Sequence, residues 1–408
     1  MNDPRFFETI LGVKSPWSVA RVEMSTGEKR LDAWLAHEEG VKFGCPECAV
    51  DAPVYDHSAE RVWRHLDVCE FSLFLHAALP RVECPEHGVR QARVPWADPR
   101  ARFTLLMERW AVEMLRGGLS VSAAGRLLKL SWDELWHILD RAVARGLKRK
   151  VVRVIKRLGV DEKAIAKRHK YLTLVFDLER KTVEFIGLDR EAASLTPFLL
   201  SLTPAQRAGI EAVALDMCPA YIRALLDHLP EADQKMVFDP FHVMKAMNEA
   251  VDKVRKEEHA ALSAEGIDLL KKTKYWWLYG AERVPERHAE LFEELRAMNL
   301  LTGRAWSIKE TLRGLWDCAT REAGEAHLRA WYAWAVRSRL EPVKRVARMI
   351  KAHWAGILNF FRCRVSNGLS EGFNGIIEQI KRMARGFRNV DHFITAIYFH
   401  LGGLDLCP

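Results

Sequence analysis

The chain has no apolar run near the roughly 18 residues that a membrane span requires. Its first residues, Met-Asn-Asp-Pro-Arg-Phe-Phe-Glu, lack the apolar core of a targeting signal. A cytoplasmic protein with no membrane partner is expected. The sequence shows no internal repeat and no low-complexity tract, which sets aside solenoid and disordered architectures. Cysteine is scarce, with 8 in 408 residues, and Cys69, Cys218, Cys318 and Cys407 stand isolated. A chain of this length needs no disulfide staples, so reduced thiols are expected. Acidic charge is in the minority, 54 Asp and Glu against 62 Lys and Arg, for a net charge of +8 and a pI near 9.0. That balance favours a polyanionic partner without establishing one.

What is present is ample core material, 49% hydrophobic residues over a length that suits two or more domains. Composition changes character near residues 98, 150 and 243. Residues 19–97 alternate in short runs broken by Pro and Gly, which predicts small β-structure. Residues 102–148 follow a helical period. Three strand-like runs follow at 151–160, 171–176 and 182–188, forming a meander. A helix over 191–202, a strand at 211–215, a helix after Pro219 and a strand at 234–238 complete a mixed α/β pattern. Residues 240 to about 358 read as helical, and a last helix follows Gly368.

The strongest local motif is a matched pair of knuckles, Cys45-Pro-Glu-Cys48 and Cys84-Pro-Glu-His87. Tetrahedral zinc takes four N or S ligands, and each tight knuckle delivers two of them, so Cys45, Cys48, Cys84 and His87 close a structural site. Closed coordination leaves no position for reactive water, so this zinc is expected to support folding and DNA docking. His57, His65 and His76 are alternatives to His87, but none has a partner at knuckle spacing.

Further on, 119–128 and 132–141 are separated by Lys129-Leu130-Ser131. Ser131 with Glu134 makes a capping box, which starts a second helix sharply after a short turn, as a helix-turn-helix requires. In that reading Trp136 and His137 lie early on the recognition helix and reach base edges, while Arg126 and Lys129 contact phosphates. An ordinary helical hairpin is the competing reading.

Three acidic residues far apart in sequence decide the chemistry: Asp161 along the first strand, Asp216 at the end of the fourth, and Glu371 on a late helix. Convergence of such carboxylates holds divalent cations that activate the attacking oxygen and stabilise the leaving oxygen in phosphoryl displacement. This is the arrangement of ribonuclease-H-like nucleases and transposases. Glu162 is expected to point to the opposite face of the strand from Asp161. In Asp239-Pro-Phe-His242, Asp239 either orients His242 near the scissile phosphate or metal, or caps the helix starting at Pro240, and the two roles are compatible. Asp239 also competes with Asp216 as the second carboxylate. Lys381, Arg382, Arg385 and Arg388 follow the late helix, and Arg385 and Arg388 are expected to share a face with Lys381 along a DNA backbone.

Residues from about 40 to 400 resemble the ISL-three family of insertion-sequence transposases. The likeness is carried by Cys-Pro-Glu-His-Gly-Val at 84–89, Val-Pro-Trp-Ala at 94–97, Val-Asp-Glu-Lys at 160–163, Tyr-Leu-Thr-Leu-Val at 171–175 and Asp-Pro-Phe-His-Val at 239–243. Ser-Asn-Gly-Leu-Ser-Glu-Gly-Phe-Asn at 366–374 and Lys-Arg-Met-Ala-Arg-Gly-Phe-Arg-Asn at 381–389 are the most specific matches. The resemblance implies a DDE triad of Asp161, Asp216 and Glu371 holding Mg²⁺ or Mn²⁺, and a helical insertion between Asp216 and Glu371. The expected domains are a zinc ribbon at 1–98, a helix-turn-helix at 99–150, a ribonuclease-H-like catalytic domain at 151–242 and 359–408, and a helical insertion at 243–358. The expected partners are double-stranded DNA, both terminal inverted repeats and target, with a homo-oligomer, a dimer, assembled on it. Two other classes fit the same modules: a DNA-binding regulator without catalysis, and a structure-selective nuclease.

Overall fold

The structure is a computed structural model and describes residues 4–166, 170–365 and 368–408. The chain divides into two units, Met1–Lys150 with Leu404–Pro408, and Val151–Gly403.

After helix α1 (Pro4–Leu11), the first unit forms a sheet from β1 (Trp17–Ser25), β2 (Arg30–His37), β3 (Lys42–Gly44), β4 (Asp51–Arg64), β5 (Ser72–Cys84) and β6 (Gly88–Gln91). The order is β1-β2-β5-β4-β3, with β6 on β5. Strands β2 and β5 run parallel and the other pairs antiparallel. Alternation selects the core face: Leu31, Ala33 and Leu35 are buried, while Asp32 and Trp34 between them are less so. Trp96 packs edge-on against both Trp17 and Trp63, at centroid distances of 4.8 and 5.8 Å.

Helices α2 (Leu105–Arg116), α3 (Val121–Leu128) and α4 (Trp132–Arg149) follow. Glu108 on α2 is fully buried, which is costly for an unpaired carboxylate. Arg141 and Arg145 on α4 both meet it, the second at 3.0 Å, and so clamp the two helices together. The chain's last residues, grouped by sequence with the catalytic domain, belong to this unit instead. Arg145 donates to the Leu406 carbonyl at 3.0 Å and Arg149 pairs with Asp405 at 3.0 Å. Gly146 admits Leu404, whose Cβ would stand 2.7 Å from any Cβ added there.

The second unit holds β7 (Arg157–Ala166), β8 (Lys170–Asp177), β9 (Thr182–Leu188), α5 (Ala192–Ser201), α6 (Pro204–Gly209), β10 (Ala212–Leu215), α7 (Pro219–His228), α8 (Ala232–Lys235) and β11 (Met236–Phe238). The sheet order is β11-β10-β7-β8-β9, with β7, β10 and β11 parallel and β8 antiparallel to both β7 and β9. This mixed sheet is ribonuclease-H-like. The first strand, expected over 151–160, is displaced towards the C-terminus. Its β-branched lead-in suits a strand, but β10 pairs with β7 only from Arg157 onward, and Val151 and Val152 remain 78% and 79% exposed.

Both faces of the sheet are covered. Leu158, Val160, Val213 and Leu215 pack with Leu195, Leu199 and Tyr221 of α5 and α7. Leu172, Leu174, Ala212 and Ala214 pack on the other side with Phe373, Ile377, Phe393 and Ile397. The latter residues belong to α17 (Gly368–Met383) and α18 (Val390–Leu401), two helices where the sequence suggested one. Between β11 and α17 the chain is helical: α9 (Pro240–Ala264), α10 (Lys274–Leu278), α11 (Glu286–Ala297), α12 (Leu301–Arg313), α13 (Arg321–Arg337), α14 (Glu341–Ala352), α15 (Trp354–Leu358) and α16 (Phe360–Cys363). Among the described residues, no helix is long and apolar enough to cross a membrane.

Candidate active site and metal centre

The two knuckles sit on β-turns of the first sheet, one between β3 and β4 and the other between β5 and β6. Backbone bonds shape the first knuckle, Cys45 N–H to the Val50 carbonyl at 2.9 Å and Ala49 N–H to the Cys45 carbonyl at 2.9 Å. The ligand atoms of Cys45, Cys48, Cys84 and His87 all lie within 4.8 Å of one another. Cys48 and Cys84 sulfurs are 3.6 Å apart, and His87 Nδ1 is 3.5 Å from the Cys84 sulfur and 4.0 Å from that of Cys45. A zinc tetrahedron with Zn–S near 2.3 Å has S···S edges of about 3.8 Å, so the donor set fits that ion. Hydrogen bonds from the His87 backbone and ring draw the Cys84 thiol down to about 6, favouring the thiolate that a metal needs. Glu47 lies 3.6 Å from His87 Nε2, where it orients the ring. The other histidines are engaged elsewhere: His57 with His37, His65 with Thr104, and His76 with Asp32 and Glu60.

The α3–α4 hairpin forms as the capping box predicts, with Ser131 Oγ accepting from Glu134 N–H at 3.3 Å and the Glu134 carboxylate accepting from Ser131 N–H at 3.0 Å. Lys129 takes a left-handed conformation in the turn, and a Cβ on Gly125 would meet the Leu130 carbonyl at 2.9 Å. Arg126 and His137 are exposed. Trp136, expected to reach base edges, is buried and stacks on Trp132 at 5.1 Å. Its place on the helix turns it to the core. Lys129, expected on phosphate, pairs with Asp67 at 2.8 Å and donates to the Glu70 carbonyl at 2.9 Å.

In the second unit the candidate acids gather at the C-terminal ends of the parallel strands, the edge where open α/β sheets present ligand sites. Asp161 lies on the part of β7 that runs beyond its pairing with β10, and Asp216 directly follows β10. Asp161 Oδ2 accepts from Asn374 Nδ2 on α17 at 2.9 Å, and Oδ1 accepts from Glu162 N–H at 2.8 Å. Burial pushes the Asp161 carboxyl up; the Glu162 N–H and His242 oppose this, and nearby Asp216 adds to it. Glu371 stands on α17, but its side chain lies outside the described residues.

Asp239 caps α9, accepting from Phe241 N–H at 3.1 Å. Its other oxygen lies 3.6 Å from His242 Nδ1, an ion-pair contact beyond hydrogen-bond length. Asp239, followed by Asp216, raises the His242 pKa against the effect of burial.

Sequence reasoning missed three residues. Glu162 does face the α5–α7 side, opposite Asp161, yet it remains in the site. Arg190 pairs with Glu162 at 3.1 Å and with Asp216 at 3.0 Å. Burial and then the Asp216 charge lift Glu162 to about 7. Asn374 carried a usable signal, since it follows Glu371 by three positions on one helix; Arg190 carried none.

The basic stretch that begins in the last turn of α17 is not one helical face. The helix ends at Met383, Arg385 is left-handed at φ 54°, and Gly386 N–H bonds the Lys381 carbonyl at 2.8 Å. Lys381 Nζ donates to the Ile165 carbonyl at 2.8 Å, docking α17 on β7, while Arg382, Arg385 and Arg388 are exposed.

A ribonuclease-H-like sheet with carboxylates at its strand ends is the arrangement of DNA-recombining proteins of the DDE class, and the chain also carries a zinc-ribbon donor set and a helix-turn-helix. A family model described as "Transposase", for the DDE domain of ISL3 elements, matches residues 158–397. Models for the helix-turn-helix domain of transposase family ISL3 and for the zinc-finger of transposase IS204/IS1001/IS1096/IS1165 match residues 92–143 and 42–87. The chain belongs to the ISL3 family of insertion-sequence transposases. It is 28% identical over 433 residues to the transposase for insertion sequence element IS1557 of Mycobacterium tuberculosis, covering 99% of this chain and 96% of that one. It is also 27% identical over 403 residues to the transposase for IS1001 of Bordetella parapertussis, covering 97% and 98%.

Proposed function

We propose that this transposase binds the terminal inverted repeats of its own element and catalyses Mg²⁺-dependent DNA cleavage and strand transfer, with Asp161, Asp216 and Glu371 as the DDE triad. The observation that carries this is the meeting of Asp161, Asp216 and His242 in one electrostatic neighbourhood at the ends of parallel strands. Asp216 is favoured over Asp239 as the second carboxylate. Asp216 directly follows β10, the neighbour of β7, and its charge bears on Asp161, whereas Asp239 lies one strand further out, after β11, and its charge bears on His242. Glu162 Oε2 and Asn374 Oδ1 are buried acceptors without a hydrogen bond, which suits a nearby cation. A divalent ion there would supply Lewis-acid polarisation of the phosphate oxygens and a lowered pKa for the attacking hydroxyl.

The chain's own residues do the rest. Asn374 orients Asp161, Asp239 favours the protonated form of His242, and the α17 dock on β7 brings the Glu371 helix to the strand. Arg126 and His137 on the helix-turn-helix, with Arg382, Arg385 and Arg388, offer contacts to DNA. The zinc ribbon at 1–98 and the helix-turn-helix at 99–150 select the ends, and a dimer brings two ends together. Labelled end DNA, Mg²⁺ and a plasmid target provide the test. Strand-transfer product that vanishes in Asp161→Asn, Asp216→Asn and Glu371→Gln is expected. Binding without cleavage would indicate a regulator, and cleavage without joining a nuclease.

A further inference from the structure

Arg190 occupies an unusual place. It follows β9, directly after Asp189, which takes a left-handed conformation at φ 65°. The loop beneath it is held from the core: Asp189 N–H donates to the Tyr171 carbonyl at 2.9 Å, and Thr173 Oγ1 donates to the Asp189 carbonyl at 2.7 Å. Thr173 in turn meets the Tyr221 hydroxyl at 2.9 Å, and both residues are completely buried. Two buried hydroxyls therefore fix the backbone that launches the guanidinium. Its two terminal nitrogens then reach carboxylates from different strands, Glu162 of β7 at 3.1 Å and Asp216 after β10 at 3.0 Å.

A guanidinium spanning two carboxylates does the electrostatic work of a bridging cation. It satisfies Asp216 Oδ2, while Cys218 N–H at 3.2 Å takes Oδ1. Each oxygen keeps a second lone pair, but the guanidinium charge held at Oδ2 opposes a divalent cation there until Arg190 leaves. The Arg190 side chain is 38% exposed, so it can leave, and a DNA phosphate offers the same fork an equally good acceptor.

We propose that Arg190 is a resident counter-ion that competes with the divalent metal for Asp216 and is drawn away by the phosphate of bound end DNA, so that metal loading depends on DNA. The inference rests on the reading of Asp216 as a metal ligand. It adds a regulatory role for a residue outside the DDE triad, with Glu162 as the group that retains Arg190 nearby.

The test is Mn²⁺ binding to the full-length protein, followed by electron paramagnetic resonance of free Mn²⁺, with and without end DNA. Without DNA, Arg190→Gln should bind Mn²⁺ about tenfold more tightly than wild type, a modest effect for removing a contact cation that solvent screens. Adding DNA should tighten Mn²⁺ binding in wild type far more than in the variant. Arg190→Lys, which keeps the charge but not the fork, should fall between them. Equal or weaker binding by Arg190→Gln, in protein whose thermal melt shows a folded second unit, overturns the proposal. Asp216→Asn separates the two readings: if it retains wild-type Mn²⁺ affinity, the metal-ligand assignment itself fails.

Discussion

Asn374 Nδ2 on α17 donates to Asp161 Oδ2 on β7 at 2.9 Å, joining residues more than 200 positions apart in sequence. The bond does for the carboxylate what an outer partner does for a metal ligand, fixing its rotamer and basicity. Lys163 strengthens the same junction, with Glu378 at 3.1 Å and the Asn374 carbonyl at 3.3 Å. Asn374→Ala should therefore leave the sheet folded while cutting end cleavage by about 10–100-fold, the usual effect of losing such a partner. Gel assays of cleavage, alongside far-UV circular dichroism, check both halves. Wild-type cleavage by the variant would remove Asn374 from the site.

The zinc-ribbon cluster makes a separable prediction. Four ligand atoms converge from two knuckles, so a bound zinc ion would add local folding energy. Cys45→Ser should lose bound zinc, measured by atomic absorption at about one ion per chain in wild type. It should also lose end-DNA binding while the second unit still melts cooperatively. Unchanged DNA binding in zinc-free protein would sink the docking role.

Legibility in the sequence followed locality. The Ser131–Glu134 box, the knuckles and the strand that ends just before Asp216 each depend on residues within one turn or strand, and their elements formed as read. Misreadings came where a distant partner decides. Val151 and Val152 have strand-like side chains but find no neighbouring strand. Trp136 sits early on α4 as expected, yet Trp132 and the core claim its ring. Glu162 obeys strand alternation and still joins the site, because β7 outruns β10 and lets Arg190 reach from the other face. Arg385 and Arg388 share no helical face with Lys381, because α17 ends at Met383 and both Arg385 and Gly386 take left-handed conformations.

Glu162 gives the second unit a pH signature. Its folded pKa, lifted to about 7 chiefly by burial, lies above the ordinary carboxylate value. Between that ordinary value and 7 the native state binds a proton that the unfolded chain has released, so stability falls as pH rises through this window and levels off above it. In chelator, the melting temperature of the second unit should drop over pH 4.5–7, by about 2–4 °C for each kcal/mol lost. Glu162→Gln should flatten that slope. A variant whose profile parallels wild type would show that another group controls it.

The helix-turn-helix separates packing from recognition within two adjacent residues. Trp136 is buried and stacked on Trp132, so Trp136→Ala removes a large core side chain and should cost about 3–5 kcal/mol. End binding would then fail through unfolding, visible as a lowered melting temperature of the first unit. His137 is exposed on the next position of α4, so His137→Ala should leave that melting temperature unchanged and weaken discrimination between end and random DNA. Arg126→Ala should weaken both DNAs alike and reduce the slope of log K against log salt by about one phosphate contact. Titrations of each variant at several salt concentrations distinguish the three outcomes. If His137→Ala and Arg126→Ala both bind end DNA as wild type does, this hairpin is not the surface that reads the terminal repeats.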